Sequence, residues 1–343
     1  MIVTRAPFRI TLGGGGTDLP SFYENHGGFL VSMAIDKYIY VMINKMILDK
    51  GIQLNYKESE YVIDPKLLKH PFVREILIKF GIKGNVEMTS VADLPSGAGL
   101  GSSGSFAVAS ILALRSYLRQ SATIYEIANE ACDIEMNKLN HPVGKQDQFV
   151  AAFGGIICMD ISKSGDVKIE RLKLEKGDML DFLDSMRVYY TGIQRSASDI
   201  LSVQNTASKL TLHQDHRSVI DSLQKIKELG YLTKEALESR NYDDFGKIMD
   251  IHWEMKKNLS SAITSVEINK IYEEVKKDFG VLGGKLIGAG GGGFFLLYVP
   301  KKRKELDKYM SKKNMIRLHY NIDHSGVKVV SDLDDHYEFY NKE

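Results

Sequence analysis

The sequence predicts an α+β protein of two lobes, and three observations point there. Strand-like alternation dominates the first hundred residues and returns near the end, while charged helical patterns fill the stretch between. Two glycine runs, in "ITLGGGGTDLP" (10–20) and "GAGGGGFF" (288–295), sit beside apolar strand-like segments at opposite ends of the chain. At 343 residues, 43% hydrophobic and 26% charged, the chain is long enough for two cores.

Taken in order, "IVTRAPFRITL", "GGFLVSMAIDKYIYVMINK", "GIQLNY" and "GNVEMTSVADLP" alternate and are punctuated by Gly or Pro, so they read as antiparallel strands. A buried helix opens at the serines after Gly101 and runs through "SFAVASILALRSYLR". A second begins at Thr123, where Glu126 completes a capping box, and continues to about Leu139. The short helix "KQDQFVAAF" stops at Gly154 and feeds the strand "GGIICMDIS". After the charged segment 162 to 186, "MRVYYTG" opens a second lobe, with helices over roughly 196 to 278. "KLIGAGGGGFFLLYV", a helix near 301 to 313 and a strand-turn-strand in "IRLHYNIDHSGVKVV" complete it, as a split βαβ sheet with helices on one face. The expected lobes are residues 1–175 and 176–343, the boundary lying near 165 to 186.

Composition narrows the function. Forty-five Lys and Arg nearly balance forty-four Asp and Glu, which disfavours a nucleic-acid surface and favours small-molecule chemistry. The amino terminus lacks the apolar core of a signal peptide, and no apolar run approaches the roughly 20 residues that span a bilayer, so a cytoplasmic location without membrane contact is expected. Cys132 and Cys158 have no metal-type spacing and read as reduced core thiols. "HQDH" at His213 to His216 lacks a third ligand and reads as solvent-exposed, and Trp253 beside His252 reads as packing.

The most informative segment is "DLPSGAGLGSSGSFAVA", Asp93 to Ala109. Glycines and serines just before a buried helix converge backbone N–H groups on a point where an anion can sit, and the hydroxyls of Ser102 and Ser103 suit phosphate oxygen or Mg²⁺. No GxxxxGK[ST] occurs, and Lys285 in "GGKL" has neither the spacing nor the hydroxyl neighbour of such a loop. Gly99 to Gly104 matches GxGxxG, but Asp93 to Ser96 separate it from the strand and a helix follows, which argues against a nicotinamide oxidoreductase.

"LPSGAGLGSSGS" resembles the second signature of the GHMP kinases, named for galactose, homoserine, mevalonate and phosphomevalonate kinases. "RAPFRITLGGGGTD" is similar to the first signature and "KLIGAGGGGFFLLYV" to the third, so the resemblance has three anchors across almost the whole chain. It implies the two-lobed GHMP fold, an amino-terminal lobe like a ribosomal-protein domain and a ferredoxin-like second lobe. It also implies ATP and Mg²⁺ as cofactors. Pro95, Gly97, Ala98, Gly99, Leu100, Gly101, Ser102 and Ser103 would wrap the ATP phosphates, with Ser103 also on Mg²⁺. Glu135 would be the second Mg²⁺ ligand, although it stands twelve residues before Asp147 where relatives show about eleven, and Glu130 is the other claimant. Asp147 would sit beside the acceptor hydroxyl, in a first helical turn whose dipole favours the anion. Arg9 would stabilise the developing charge, with Phe8 standing where relatives have Gly.

For the acceptor, "GGGGTD" stands where the galactose enzymes often have "GEHTD". Glycines at 14 and 15 widen the pocket, and Thr17 and Asp18 remain to bind hydroxyls. This resembles the D-glycero-D-manno-heptose 7-phosphate kinases, which phosphorylate the anomeric C1 hydroxyl toward nucleotide-activated heptose, and more distantly the fucokinases. A sugar phosphate needs a cation away from the ATP: Arg195, in "TGIQRSASDIL", and Lys145 are the candidates. Gly291 would bring second-lobe backbone close to the same site. The other readings are another sugar 1-kinase such as a fucokinase, and a sensor that binds sugar and ATP without turnover. A homodimer is left open.

Overall fold

A computed structural model of the chain describes residues 1–193, 214–259, 263–288 and 290–333. The first lobe contains β1 (Ile2–Gly13), α1 (Pro20–His26), β2 (Gly28–Lys45), β3 (Ile52–Asn55), β4 (Ser59–Val62), α2 (Pro71–Lys79) and β5 (Val86–Ala92). It continues with α3 (Ser102–Tyr117), α4 (Ile124–Cys132), α5 (Gln146–Phe153), β6 (Ile156–Ile161) and β7 (Val167–Leu172). The second holds α6 (Lys176–Ser185), β8 (Met186–Tyr190), α7 (Gln214–Glu238), α8 (Tyr242–Lys257), α9 (Val266–Phe279), β9 (Gly283–Leu286), β10 (Phe294–Tyr298), α10 (Arg303–Lys312) and β11 (Ile316–Leu318). The last strand is β12 (Lys328–Asp332).

Eight strands form the first sheet, in the order β12-β1-β2-β5-β3-β4 with β6 and β7 branching from β2. The four-stranded second sheet runs β11-β8-β10-β9 and is antiparallel throughout. Counted within the lobe that order is 4-1-3-2, the split βαβ arrangement expected of a ferredoxin-like lobe, with three helices among the described residues of the first crossover. The first core packs α3 and α5 on the large sheet, with α4 against both helices, and includes Ile10, Val108, Ile111, Ile127 and Phe149; the second gathers Tyr189, Trp253, Tyr272 and Phe295. Cys132 and Cys158 are buried free thiols.

The chain does not stay on one side of a single boundary. "IRLHYNIDHSGVKVV" is not a hairpin: β11 pairs with β8 in the second sheet, and β12 pairs with β1 in the first. Buried Asp323 fixes the crossing by accepting from Ser325 N (3.0 Å), Gly326 N (2.6 Å) and the Tyr38 hydroxyl (2.9 Å). An alternating pattern gives strand type without partner, and here a buried carboxylate redirects the chain. The charged segment 162 to 186 also carries structure, β7 and α6, because their exposed faces hide the apolar spacing.

The capping box at Thr123 forms as expected, but α4 stops at Cys132 and gives way to a π-helical turn, Asp133–Lys138. A π turn holds one residue more than an α turn. Glu135 sits in it, so the twelve-residue spacing to Asp147 has a place where the additional residue is absorbed.

Candidate active site

Three left-handed glycines, Gly97, Gly99 and Gly101, fold the loop between β5 and α3. Gly101 is the N-cap of α3 and no side chain caps that helix, so its first N–H groups face the loop. The second glycine run holds the loop from outside. A Cβ on Gly288 would stand 2.6 Å from the Gly99 carbonyl, and one on Gly293 would stand 2.3 Å from the Ala98 carbonyl. Backbone thus packs on backbone between the lobes, with Ala98 and Leu100 buried and Pro95 and Gly97 exposed. Gly291 is tied to this wall by its N–H to the Ile263 carbonyl (2.7 Å) and does not line the cleft described below.

Arg9 and Asp147 meet beside the loop. The Arg9 Nε and Nη2 lie 2.8 and 2.7 Å from Asp147 Oδ1, and Nη1 donates to the Gly99 carbonyl. Arg9 is 5% exposed, held by β1, while Asp147 stands in the first turn of α5. Gly104 and Gly101 permit that approach, since a Cβ on Gly104 would stand 2.5 Å from Asp147 Cβ. On the other side of the α3 terminus, Ser103 Oγ donates to Glu135 Oε1 (2.7 Å) and Gln148 Nε2 to Glu135 Oε2 (2.6 Å). Burial lifts the Glu135 carboxyl to about 7, and the Asp147 charge adds to the rise. The rival carboxylate is spent elsewhere: Glu130 bridges Lys79 and Arg115, each at 2.9 Å.

A cleft of about 720 Å³, open to solvent, runs from this pair between the lobes. Arg9, Thr11, Gly15, Gly16, Asp18, Gln146 and Asp147 line one wall. Asp18 Oδ2 accepts from Gln146 N (3.0 Å), capping α5, and Oδ1 accepts from Gly16 N (3.2 Å). Gly144 makes room, since its Cβ would stand 1.9 Å from Asp18 Oδ2. Desolvation raises the Asp18 carboxyl above the usual carboxylate range, with the Asp147 charge adding to it.

The four glycines divide their work. Gly13 packs on Thr233 of α7, and Gly14 packs on the Phe29 carbonyl of β2, whereas Gly15 and Gly16 face the cleft. The Thr17 hydroxyl is buried and bonded to the Gly14 and Phe29 carbonyls, at 2.8 and 2.9 Å, so it stabilises the turn. Lys145 points away, donating to the Gly165 carbonyl and resting near the Tyr23 ring. Arg195 and His213 lie outside the described residues.

The opposite wall holds residues that the motifs did not flag as a site: His252 and Lys256 on α8, and Lys285 on β9. Lys285 Nζ donates to the Leu12 carbonyl (2.8 Å) and lies 3.2 Å from His252 Nδ1. Lys256 donates to the carbonyls of Leu286 (3.0 Å) and Gly288. Burial lowers Lys256 to about 7, with help from Arg9, and holds Lys285 well below the lysine range, with help from Lys256. The i, i+4 spacing of His252 and Lys256 beside buried Trp253 was a readable signal, as was a lysine inside the apolar strand "GGKLIG".

Comparison with known proteins identifies the family. Residues 66–155 match the model of the GHMP kinases N terminal domain, and residues 233–312 that of the GHMP kinases C terminal. A mevalonate kinase of Thermococcus gammatolerans is 31% identical over 262 residues, covering 73% of this chain and 72% of the relative. The chain belongs to the GHMP kinases. Within that family, a D-glycero-alpha-D-manno-heptose 7-phosphate kinase of Campylobacter jejuni is 29% identical over 339 residues, 95% of this chain and 98% of the relative. A crystal structure described as a D-glycero-D-manno-heptose 1-phosphate kinase of Bacteroides thetaiotaomicron has the same fold, with TM-score 0.79, 23% identity and coverage of 97% and 99% of the two chains.

GHMP kinases use ATP, and a glycine loop before an uncapped helix amino end is an arrangement that can hold phosphates. Its oxygen donors fit Mg²⁺. Ser103 and Glu135 present a hydroxyl and a carboxylate 2.7 Å apart at the loop, and the described residues contain no cluster of three or more His, Cys, Asp or Glu. Mg²⁺ is commonly held that way, by one or two carboxylates together with nucleotide phosphates. Among the described residues no helix is long and apolar enough to cross a membrane.

Proposed function

We propose that this kinase transfers the γ-phosphoryl group of ATP to the anomeric C1 hydroxyl of D-glycero-D-manno-heptose 7-phosphate, yielding the 1,7-bisphosphate in the cytoplasm. The observation that carries the reaction type is the Arg9–Asp147 pair between the glycine loop and an open cleft. The heptose is supported by the Campylobacter jejuni relative, whose similarity extends over 95% of this chain. It is also supported by the side-chain-free floor at Gly15 and Gly16.

In this reading Asp147 accepts the proton of the C1 hydroxyl, or holds that hydroxyl in line. Arg9 fixes the carboxylate and the Gly99 carbonyl together, and its charge stays beside the reacting oxygens. Ser103 and Glu135 hold Mg²⁺, with Gln148 orienting the Glu135 carboxylate. Bound MgATP supplies the phosphoryl group and the metal charge that offsets the phosphates. Asp18, through its grip on Gln146 N, sets the start of α5 and so the place of Asp147.

Release of ADP, followed with mannoheptose 7-phosphate, fucose, galactose, mevalonate and homoserine as acceptors, tests the proposal. The heptose phosphate is expected to give the highest kcat/KM. Turnover on fucose alone would replace the substrate, and binding without turnover on any acceptor would remove the enzymatic reading.

A further inference from the structure

The far wall of the cleft gathers two lysines and a histidine without matching carboxylates. Lys285 and His252 are each 2% exposed, and Lys256 follows His252 by one helical turn. Among the described residues neither lysine has a carboxylate partner; their ammonium groups meet the carbonyls of Leu12, Leu286 and Gly288 and the His252 ring. Arg9 is already paired with Asp147, and the Asp18 carboxyl is taken up by two N–H groups on the opposite wall. Enclosed ammonium groups are costly unless an anion offsets them.

The donor inventory suits a phosphate monoester. A bound anion favours the ammonium form of both lysines; with three protons each, Lys285 then has one beyond Leu12 and His252, and Lys256 one beyond its two carbonyls. If Lys285 donates to His252 Nδ1, the ring proton sits on Nε2, which is buried and has no hydrogen-bond partner among the described residues. Three such donors line the same cleft as Asp147. Lys285 is tethered to Leu12, directly before the glycine run that floors the cleft, on the acceptor side. Lys256 is tethered to Gly288, which packs on Gly99 of the nucleotide loop.

We propose that Lys285, His252 and Lys256 form the anion pole of the acceptor site and bind the phosphate that the sugar already carries. The assignment rests on the sugar-phosphate reading above, and it makes these residues the determinants of preference for a phosphorylated over a neutral sugar. The same chemistry could serve the γ-phosphate of ATP, and Lys256 lies toward that side, so the test separates the two sources.

Initial rates of the full-length enzyme and of Lys285→Met and Lys256→Met are measured with mannoheptose 7-phosphate, the dephosphorylated heptose and ATP, with thermal melting as the folding control. The expected result is a rise of about 10- to 100-fold in KM for the phosphorylated sugar, with KM for ATP within about twofold, because a hydrogen bond to a charged group is lost. Preference for the phosphorylated sugar should collapse. A rise for ATP alone, an equal rise for both, or no change overturns the assignment. Should Lys285→Met not fold, Lys256→Met and His252→Gln carry the same comparison. If the wild type turns over only neutral sugars, the substrate reading fails by itself. Calorimetry of inorganic phosphate on the enzyme saturated with a non-hydrolysable ATP analogue, whose γ-phosphate fills the nucleotide side, then decides the pole: binding lost in Lys285→Met supports it, and no binding overturns it.

Discussion

Arg9 and Asp147, 138 positions apart, are joined by contacts of 2.8 and 2.7 Å, and the same guanidinium holds the carbonyl of Gly99. One side chain therefore couples the carboxylate at the start of α5 to the glycine loop before α3. A planar fork can do both at once, whereas an ammonium on a flexible stem holds them less well. Arg9→Met should lower kcat by about 10²- to 10³-fold, and Arg9→Lys should recover only part of that loss. Asp147→Asn should lower kcat by about 10²- to 10⁴-fold while leaving nucleotide affinity unchanged in calorimetry. Normal turnover by Asp147→Asn would remove its assigned role.

Metal dependence should report on Glu135 and on the residue behind it. Gln148→Leu, which removes the 2.6 Å bond to Glu135 Oε2, is expected to raise the Mg²⁺ concentration for half-maximal rate by about 10-fold or more. Glu135→Gln should raise it further. Equal Mg²⁺ curves for the wild type and both variants would place the metal elsewhere.

Lys256 gives the fold a pH signature with a definite sign. Its ammonium is lowered to about 7 from the ordinary value near 10.5, by burial first and by Arg9 second, with Lys285 and His252 on the same wall. Between those values the unfolded chain holds a proton that the folded chain has lost, so this contribution to stability rises with pH across the window. Below about pH 7 both states are charged and the cost of burial is borne in full. Urea unfolding at pH 6 and pH 9 should show Lys256→Met gaining more, relative to the wild type, at pH 6. A difference independent of pH would mean that the ammonium titrates normally.

Neighbouring glycines should fail in different ways. Gly14 has φ +74°, and a Cβ there would stand 2.1 Å from the Phe29 carbonyl. Gly14→Ala should therefore cost at least about 1–3 kcal/mol of stability, seen as a lowered Tm. Gly15 lies outside the left-handed region and lines the cleft, so Gly15→Val should act mainly on KM for the acceptor. The reverse pattern in melting and kinetics would contradict this division.

The glycine loop was legible in the sequence, because glycines and serines that open a helix leave a local signature. Gly97 to Ser103 are contiguous, and the helix they open is announced by its apolar run. Arg9 and Ser103 stand in the first and second signatures, whereas Glu135 and Asp147 lie outside all three and follow only from the family resemblance; the fold brings the four around one loop. What the motifs did not give depends on contacts between distant segments. Thr17 and Gly14 stand beside Gly15 and Asp18, which line the cleft, yet both are consumed by the turn onto β2. His252, Lys256 and Lys285 come from a helix and a strand whose spacing shows burial but not that they face β1 across a cleft. The return of β12 to the first sheet is likewise invisible to alternation, which records faces and not partners.

The central claim is that the cleft presents an anomeric hydroxyl to Asp147, and the product's structure tests it most directly. Phosphorus NMR of the reaction of mannoheptose 7-phosphate with ATP should show, beside the retained 7-phosphate, a new phosphate coupled to the anomeric proton, absent with Asp147→Asn. A new phosphate on any other carbon, or none while ADP still accumulates, would contradict the account.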